Sequence, residues 1–328
     1  FNYCLTGTKR AEYNMATPTQ MMDEINKIWS ERFIDVLGIP KEILPEIVPS
    51  GTVVGTISEE ICEVLGIAPA QVVSVASHDT QSAVVAVPTD RKDFIFISCG
   101  TWSLFGTELS APIINAETYE INVSNEGGYG DTTTLLKNII GLWLVQESRR
   151  QWIREGKEYG FGQLEQMAGE VTPLVSFINP DAPEFSPAGN MPRRIQEFCR
   201  KTGQKVPETI GEIVCCINQS LALKYRYTLE QIERCTGKTY ESINMIGGGI
   251  QSKMLCQMTA NAAKRKVLAG PIEATALGNI AVQFMALGEI RDVQEARRII
   301  AASEQTYEYV PENASKWDEA YETYKQLI

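Results

Sequence analysis

Ser77-His78-Asp79-Thr80-Gln81-Ser82, then Asp93-Phe94-Ile95-Phe96-Ile97-Ser98-Cys99-Gly100-Thr101-Trp102-Ser103-Leu104-Phe105-Gly106, is the stretch from which the fold is read. It contains the only histidine of the 328 residues, joined directly to an aspartate. Val72-Val73-Ser74-Val75-Ala76 before it reads as a buried strand, and Thr80 to Val87 as the start of a helix. Chemistry in open α/β sheets collects at such strand ends. A carboxylate there suits general-base work, so Asp79 is a candidate base. The same dipeptide also reads as a helix cap beside a hydrogen-bonded core histidine. Phe94–Ser98 and Trp102–Phe105 read as two strands around the turn Cys99-Gly100-Thr101. Backbone N–H groups of a glycine turn can converge on an anion, and Thr101 adds a hydroxyl donor. A plain hairpin is the alternative.

Further along, Ser242–Ile246 reads as a strand, followed by Gly247-Gly248-Gly249 and a helix from Gln251 to Lys264. Glycines between strand and helix let a ligand approach the backbone, and a helix N-terminus favours anions. Gly247, Gly249 and Ser252 approximate a dinucleotide-binding fingerprint with Glu273 as its acidic partner, but the spacing to that partner is long. A nicotinamide-dependent oxidoreductase built on this turn would leave Asp79 and Gly100-Thr101 unexplained. Phosphate-loop lysine, nucleophile-elbow and zinc-helix motifs are absent.

Elsewhere the periodicity predicts capped helices over Ser30–Gly38, with Phe33, Ile34 and Leu37 inward, and over Ser58–Gly66, with Ile61, Val64 and Leu65 inward. Asn125-Glu126-Gly127-Gly128-Tyr129-Gly130 reads as a glycine-rich loop, and 135–154 as one helix. Residues 178–193, with four prolines, read as a loop. Pro207 opens the longest helix, which stops at Gly237. A helix over 273–287 should bury Leu277, Ile280 and Phe284, and a last one covers 316–328. Strands alternating with helices make the class α/β. Pro88–Asp93 is the predicted lobe boundary, separating 1–87 from 88–328.

The hydrophobic share of 44% and the charged share of 22% describe a globular chain. A net charge of -11 argues against nucleic acid and against a polybasic membrane anchor as partners. It does not exclude nucleotide phosphates held by backbone N–H groups. No apolar run reaches the length of a spanning helix, and no signal peptide is read, so a cytoplasmic location is expected. Of the eight cysteines, none forms a C-x-x-C pair. They read as reduced core thiols, with a bridge from Cys199 to Cys215 or Cys216 left open.

A strand-end Asp, a Gly-Thr hairpin and a strand–GGG–helix together resemble the FGGY carbohydrate kinases over essentially the whole chain. Further matching stretches are Leu136-Lys137-Asn138-Ile139-Ile140-Gly141-Leu142-Trp143-Leu144 and Ala269-Gly270-Pro271-Ile272-Glu273-Ala274. The resemblance implies a bilobal ribonuclease-H-like fold, shared with actin and Hsp70, with the second lobe complete and the first partial. It implies phosphorylation of a ketose, L-rhamnulose at its 1-hydroxyl, by ATP with Mg²⁺. Fuculose and xylulose are the alternative sugars. A non-catalytic nucleotide- or sugar-binding fragment is the alternative role.

By the same resemblance Asp79 is the base, and His78, Thr80 and Asn138 contact the sugar. Gly100, Thr101, Gln146, Gly247, Gly248 and Gly249 hold the nucleotide, and no metal ligand is assigned. Asn138 and Gln146 are expected on one helix face. Family members begin with a strand–turn–strand carrying an acidic residue and a further phosphate loop, which this sequence does not show. The expectation is that the chain alone is inactive, as a fragment, a cut chain or a split-gene product. The missing segment would then be a partner.

Overall fold

A computed structural model describes residues 1–328, which divide into two compact units. Unit 1 comprises Phe1–Asp93, Thr107–Leu136 and Glu273–Gln305, and unit 2 comprises Phe94–Gly106, Lys137–Ile272 and Thr306–Ile328. No helix is long and apolar enough to cross a membrane.

Unit 2 is built on the apolar strands that the sequence marks. Ile95–Cys99 pairs in parallel with Ser242–Ile246, which pairs in parallel with Lys266–Ala269; Tyr307–Tyr309 closes that edge antiparallel. On the other side of Ile95–Cys99 lie Trp102–Leu109 and then Thr133–Ile140. Ile95, Phe96 and Ile97 are buried on both faces, which is why the run is continuously apolar and does not alternate. Asn244 is the polar exception, and its Nδ2 donates to the Ile95 carbonyl at 3.0 Å. The long helix is Ile210–Thr236, with Thr209 as N-cap, Glu212 completing a capping box, and Gly237 left-handed at φ 66°. It packs into the main core through Ile213, Val214, Ile217, Leu221, Tyr225 and Ile232.

Unit 1 holds short sheets. Ala11–Glu12 pairs in parallel with Ile47–Val48, Met22–Asp23 antiparallel with Ile28–Trp29, and Thr52–Thr56 antiparallel with Gln71–Ser74. Trp102–Leu109 and Thr133–Ile140 run on into this unit, where Thr133–Leu136 pairs antiparallel with Ser124–Gly127. The helix Asp79–Val85 buries every residue from Thr80 to Val85. It lies against the helix Ala274–Ala286 at Gly278, where a Cβ would overlap the Ser82 carbonyl oxygen. Arg297, itself buried, bonds through Nη2 to the Val84 carbonyl at 3.2 Å and to Glu108 at 3.0 Å.

Several expectations are corrected. Residues 135–154 are not one helix: Thr133–Ile140 is a strand, and Trp143–Arg154 is the helix. The apolar run Leu135-Leu136…Ile139-Ile140 fits either period, and pairing with Ser124–Gly127 decides it. Gly141 makes the turn because a Cβ there would lie 2.8 Å from the Ser103 nitrogen. In Glu31–Leu37 only Ile34 is buried, and in Glu59–Leu65 only Cys62. Phe33, Leu37, Val64 and Leu65 are exposed, as are Ile280 and Phe284 on Ala274–Ala286. The bridge left open from Cys199 to Cys215 or Cys216 is not formed, and all eight cysteines are free thiols, the reading taken as the default. Helices Phe161–Gly169, Met191–Lys201 and Val293–Ser303 are additional to those read from the sequence.

The contact at Gly278 fixes the helix that carries Asp79, and its neighbour is backbone, which cannot swing away. Gly278→Ala is expected to destabilise unit 1 by about 3 kcal/mol or more, read as a lower urea midpoint. An unchanged midpoint would show that the two helices separate at little cost.

Candidate functional site

In unit 1 the titratable groups gather at the start of the Asp79–Val85 helix. His78 is the N-cap residue, with extended backbone and no side-chain capping bond. Asp79 is the first helical residue. Its Oδ1 accepts the Thr80 N–H at 2.7 Å, and its side chain is 80% exposed, so the carboxylate is open to a ligand. Thr80 is buried, with its Oγ1 3.4 Å from Asp79 Oδ1.

His78 is half-buried and faces two carboxylates. Nδ1 lies 3.2 Å from Glu126 Oε2 and Nε2 lies 3.8 Å from Asp79 Oδ1. Glu126 is itself buried and held in place: Ser124 Oγ donates to its Oε1 at 3.0 Å, and Gln81 Nε2 approaches its Oε2 at 3.5 Å. Gln81 is fixed in turn by Thr134 Oγ1, which donates to its Oε1 at 2.8 Å. The Glu126 carboxylate raises the His78 pKa above its usual value, against burial, which lowers it; Asp79 and Glu12 add to the rise.

Glu12 anchors the segment just before His78. Its Oε2 accepts the Ser77 N–H at 3.1 Å, while its Oε1 accepts Ser50 Oγ and the Asn14 N–H. Burial pushes the Glu12 carboxyl up against these bonds. Burial likewise pushes Glu24 up to about 7, helped by Glu126 and Asp23. Asn14 Nδ2 donates to the carbonyls of Gly127 and Gly128, at 2.6 and 3.0 Å. A Cβ on Gly127 would fall 2.5 Å from the Tyr13 ring, so the glycine allows residues 13–17 to close on this strand.

In unit 2 a cavity of about 570 Å³ opens among the hairpin turn, the triple glycine and the helices Trp143–Arg154, Phe161–Gly169 and Ile210–Thr236. Gly100, Thr101, Gln146, Gly248 and Gly249 all line it. Thr101 Oγ1 bonds to Gln146 Oε1 at 3.1 Å, so two residues far apart in sequence meet. The Gly100 N–H donates to the Trp102 carbonyl at 2.8 Å and closes the turn. The three glycines divide the work. Gly249 could carry no Cβ, which would overlap Cys99 Sγ, and Gly247 sits at φ 88° with Cys99 O 3.1 Å from a would-be Cβ. Only at Gly248 is the space open, so that is where a ligand can approach the backbone. The Gly247 N–H is taken by the Pro271 carbonyl, at 3.0 Å.

Asn138 is not on the helix of Gln146. It lies exposed on the strand Thr133–Ile140 and outside the cavity lining, so the shared helix face expected for the pair is absent. Glu126, Glu12, Glu165 and Asn218 were not singled out by sequence reasoning. Glu165 lines the cavity and accepts the Met254 N–H at 2.5 Å, capping the helix Lys253–Ala263.

The hairpin turn and the triple glycine around one cavity, and Asp79 at the start of a helix, are the features expected of a carbohydrate kinase fold. Residues 1–86 match the N-terminal domain, and residues 95–287 the C-terminal domain, of the FGGY family of carbohydrate kinases. The chain belongs to that family. It is 40% identical over 327 residues to a rhamnulokinase of Bacteroides thetaiotaomicron, covering 100% of this chain and 67% of that protein. It is 41% identical over 310 residues to a rhamnulokinase of Halalkalibacterium halodurans, covering 94% and 65%. A xylulose kinase structure from Lactobacillus acidophilus superposes with TM-score 0.77 at 18% identity, covering 99% of this chain and 65% of that one. A Plasmodium falciparum glycerol kinase with ADP gives 0.73 at 13%, covering 99% and 64%. The chain thus spans about two thirds of the length of the relatives it matches.

His78 is the only histidine, so its imidazole resonance can be followed through a pH titration without assignment. It is expected to titrate above the ordinary 6.5, and Glu126→Gln should bring that value down. The stability His78 contributes is full below 6.5 and is lost as the pH rises through the raised folded value. The stability difference between wild type and Glu126→Gln should shrink in that direction. A wild-type midpoint at or below 6.5 would refute the pairing with Glu126.

Proposed function

We propose that this chain serves an ATP-dependent kinase that phosphorylates L-rhamnulose at its 1-hydroxyl. The observation that carries the reading is the convergence of Gly100, Thr101, Gln146, Gly248 and Gly249 on one cavity of about 570 Å³. That volume falls within the range of small-ligand sites. The sugar is taken from the two rhamnulokinases at 40% and 41% identity. ATP as donor fits a cytoplasmic setting.

In this reading the nucleoside lies against Gly248, where the backbone is open. The Thr101 hydroxyl, which donates to Gln146 Oε1, turns to donate to the phosphate that is transferred. Asp79 takes the proton from the sugar hydroxyl as its oxygen attacks the γ-phosphorus; ADP leaves and the sugar carries the phosphate. The exposed Asp79 carboxylate is free to do this because its only side-chain partners are its neighbours Thr80 and His78. His78, held by Glu126, and Thr80 border the sugar, and Asn138 is a further contact. Mg²⁺ bound with ATP neutralises charge on the phosphate oxygens.

The test is ADP release coupled to L-rhamnulose, with the polypeptide as its cell makes it. Turnover of xylulose or fuculose in its place would move the substrate, and no turnover with any ketose would sink the reading. Asp79→Asn is expected to lower kcat by about 10²–10⁴-fold while ATP titrates with unchanged affinity. Near-normal turnover would remove Asp79 from the role of base.

A further inference from the structure

Among the polar side chains lining the unit 2 cavity, one stands apart. Thr101 and Gln146 bond to each other, and Glu165 accepts the Met254 N–H. Gln251 Nε2 donates to the Gly248 carbonyl at 3.3 Å, and Ser252 Oγ accepts the Leu255 N–H at 3.2 Å. Asn218 also lines the cavity and is only 3% exposed, yet its Oδ1 is buried with no hydrogen-bond partner. Its Nδ2 has one weak acceptor, Met254 Sδ at 3.7 Å. A buried carbonyl oxygen without a donor is unfavourable and rare in native proteins. An orphan acceptor on a residue that lines a cavity therefore points to a ligand that brings the donor when the carboxamide turns toward it.

The surroundings say what kind of ligand. Asn218 sits in the long helix Ile210–Thr236, four residues after Val214, and the apolar part of the cavity's lining is Leu142, Val145, Phe161, Leu164 and Val214. A flat ring fits an apolar slot with a single polar reader. A carboxamide presents an acceptor and a donor side by side, matching the exocyclic amino group and adjacent ring nitrogen of adenine. With N7 as the neighbouring ring nitrogen, guanine presents two acceptors, O6 and N7, so either orientation of the Asn218 carboxamide leaves Oδ1 facing an acceptor.

We propose that Asn218 is the residue that reads the nucleotide base, with Oδ1 accepting from the adenine 6-amino group and Nδ2 donating to the neighbouring ring nitrogen. This rests on the reading of the cavity as a nucleotide site. It makes Asn218 a specificity-determining residue, separate from the groups assigned to the phosphates and to the transferred proton.

The test is calorimetric binding of ATP, GTP and purine riboside triphosphate, which lacks only the 6-amino group. Wild type is expected to bind ATP about tenfold to a hundredfold more tightly than either analogue. Asn218→Ala is expected to lose most of that margin, through weaker ATP binding with the purine riboside nucleotide unchanged. Equal wild-type affinity for ATP and the purine riboside nucleotide overturns the inference without any variant, so a misfolded variant cannot shelter it. A margin that survives in Asn218→Ala, or in Asn218→Leu with wild-type melting, overturns it too. Failure of wild type to bind any of the three nucleotides strikes at the nucleotide reading of the cavity itself, and the inference falls with it.

Discussion

The close approach of Gly249 to Cys99 is the constraint on which unit 2 turns. Two parallel strands, Ile95–Cys99 and Ser242–Ile246, end side by side, and the turns that leave them must share the space at their ends. A side chain at 249 would overlap the Cys99 sulfur and lie 2.7 Å from its carbonyl oxygen. With glycine there, the hairpin turn and the triple glycine meet edge to edge. The cavity then acquires Gly100 and Thr101 on one side and Gly248 and Gly249 on the other. The buried Cys99 thiol, pushed up to about 11 by burial, is there as packing and not as a nucleophile.

Unit 1 places its candidate base by a different physical means. The polar residues ahead of Asp79 are tied down by buried carboxylates. Glu12 holds Ser77 through its backbone N–H, and Glu126 faces the His78 ring. Such groups are costly to bury unless each oxygen is partnered. Ser50, Asn14, Ser124 and Gln81 supply the partners. The side chain left exposed is Asp79. Fixing the residues around a carboxylate while leaving it open suits a group that must exchange a proton with a ligand.

The residues proposed to carry the chemistry are legible where glycine or a rare residue type marks them. The lone histidine beside Asp79, the Gly100-Thr101 turn and Gly247–Gly249 are local signals, and each sits in the predicted kind of element. Their supports were not legible, because Glu126 reaches His78 across 48 positions of sequence and Glu12 reaches Ser77 across 65. Nothing local distinguishes a partnered buried glutamate from a solvated one. The helix expected over 135–154 failed for a related reason. Apolar residues at 135, 136, 139 and 140 fit a helical stripe and a buried strand alike, and only the partner strand Ser124–Gly127 separates the two. Phe33, Leu37, Ile280 and Phe284 were expected inside because helical spacing predicts a face without saying whether anything covers it.

The long helix shows how burial converts a polar residue from ornament to signal. Ile210–Thr236 is buried nearly all round, so its polar residues cannot point to solvent as they would on an amphipathic surface helix. Gln219 spends its amide on the Leu174 N–H and the Ser176 carbonyl, Ser220 accepts the Ile178 N–H, and Lys224 pairs with Asp181 at 2.8 Å. Two atoms on this helix stay unpaired, Thr228 Oγ1 and Asn218 Oδ1. Of the two residues, only Asn218 lines the cavity. A hydroxyl can turn to reduce its loss, whereas the Asn218 carboxamide has only the Met254 sulfur, 3.7 Å from Nδ2, as a partner in either orientation. In sequence Asn218 is one more residue between Ile217 and Gln219. Its meaning arises only when the rest of the helix has found partners and the cavity is what remains.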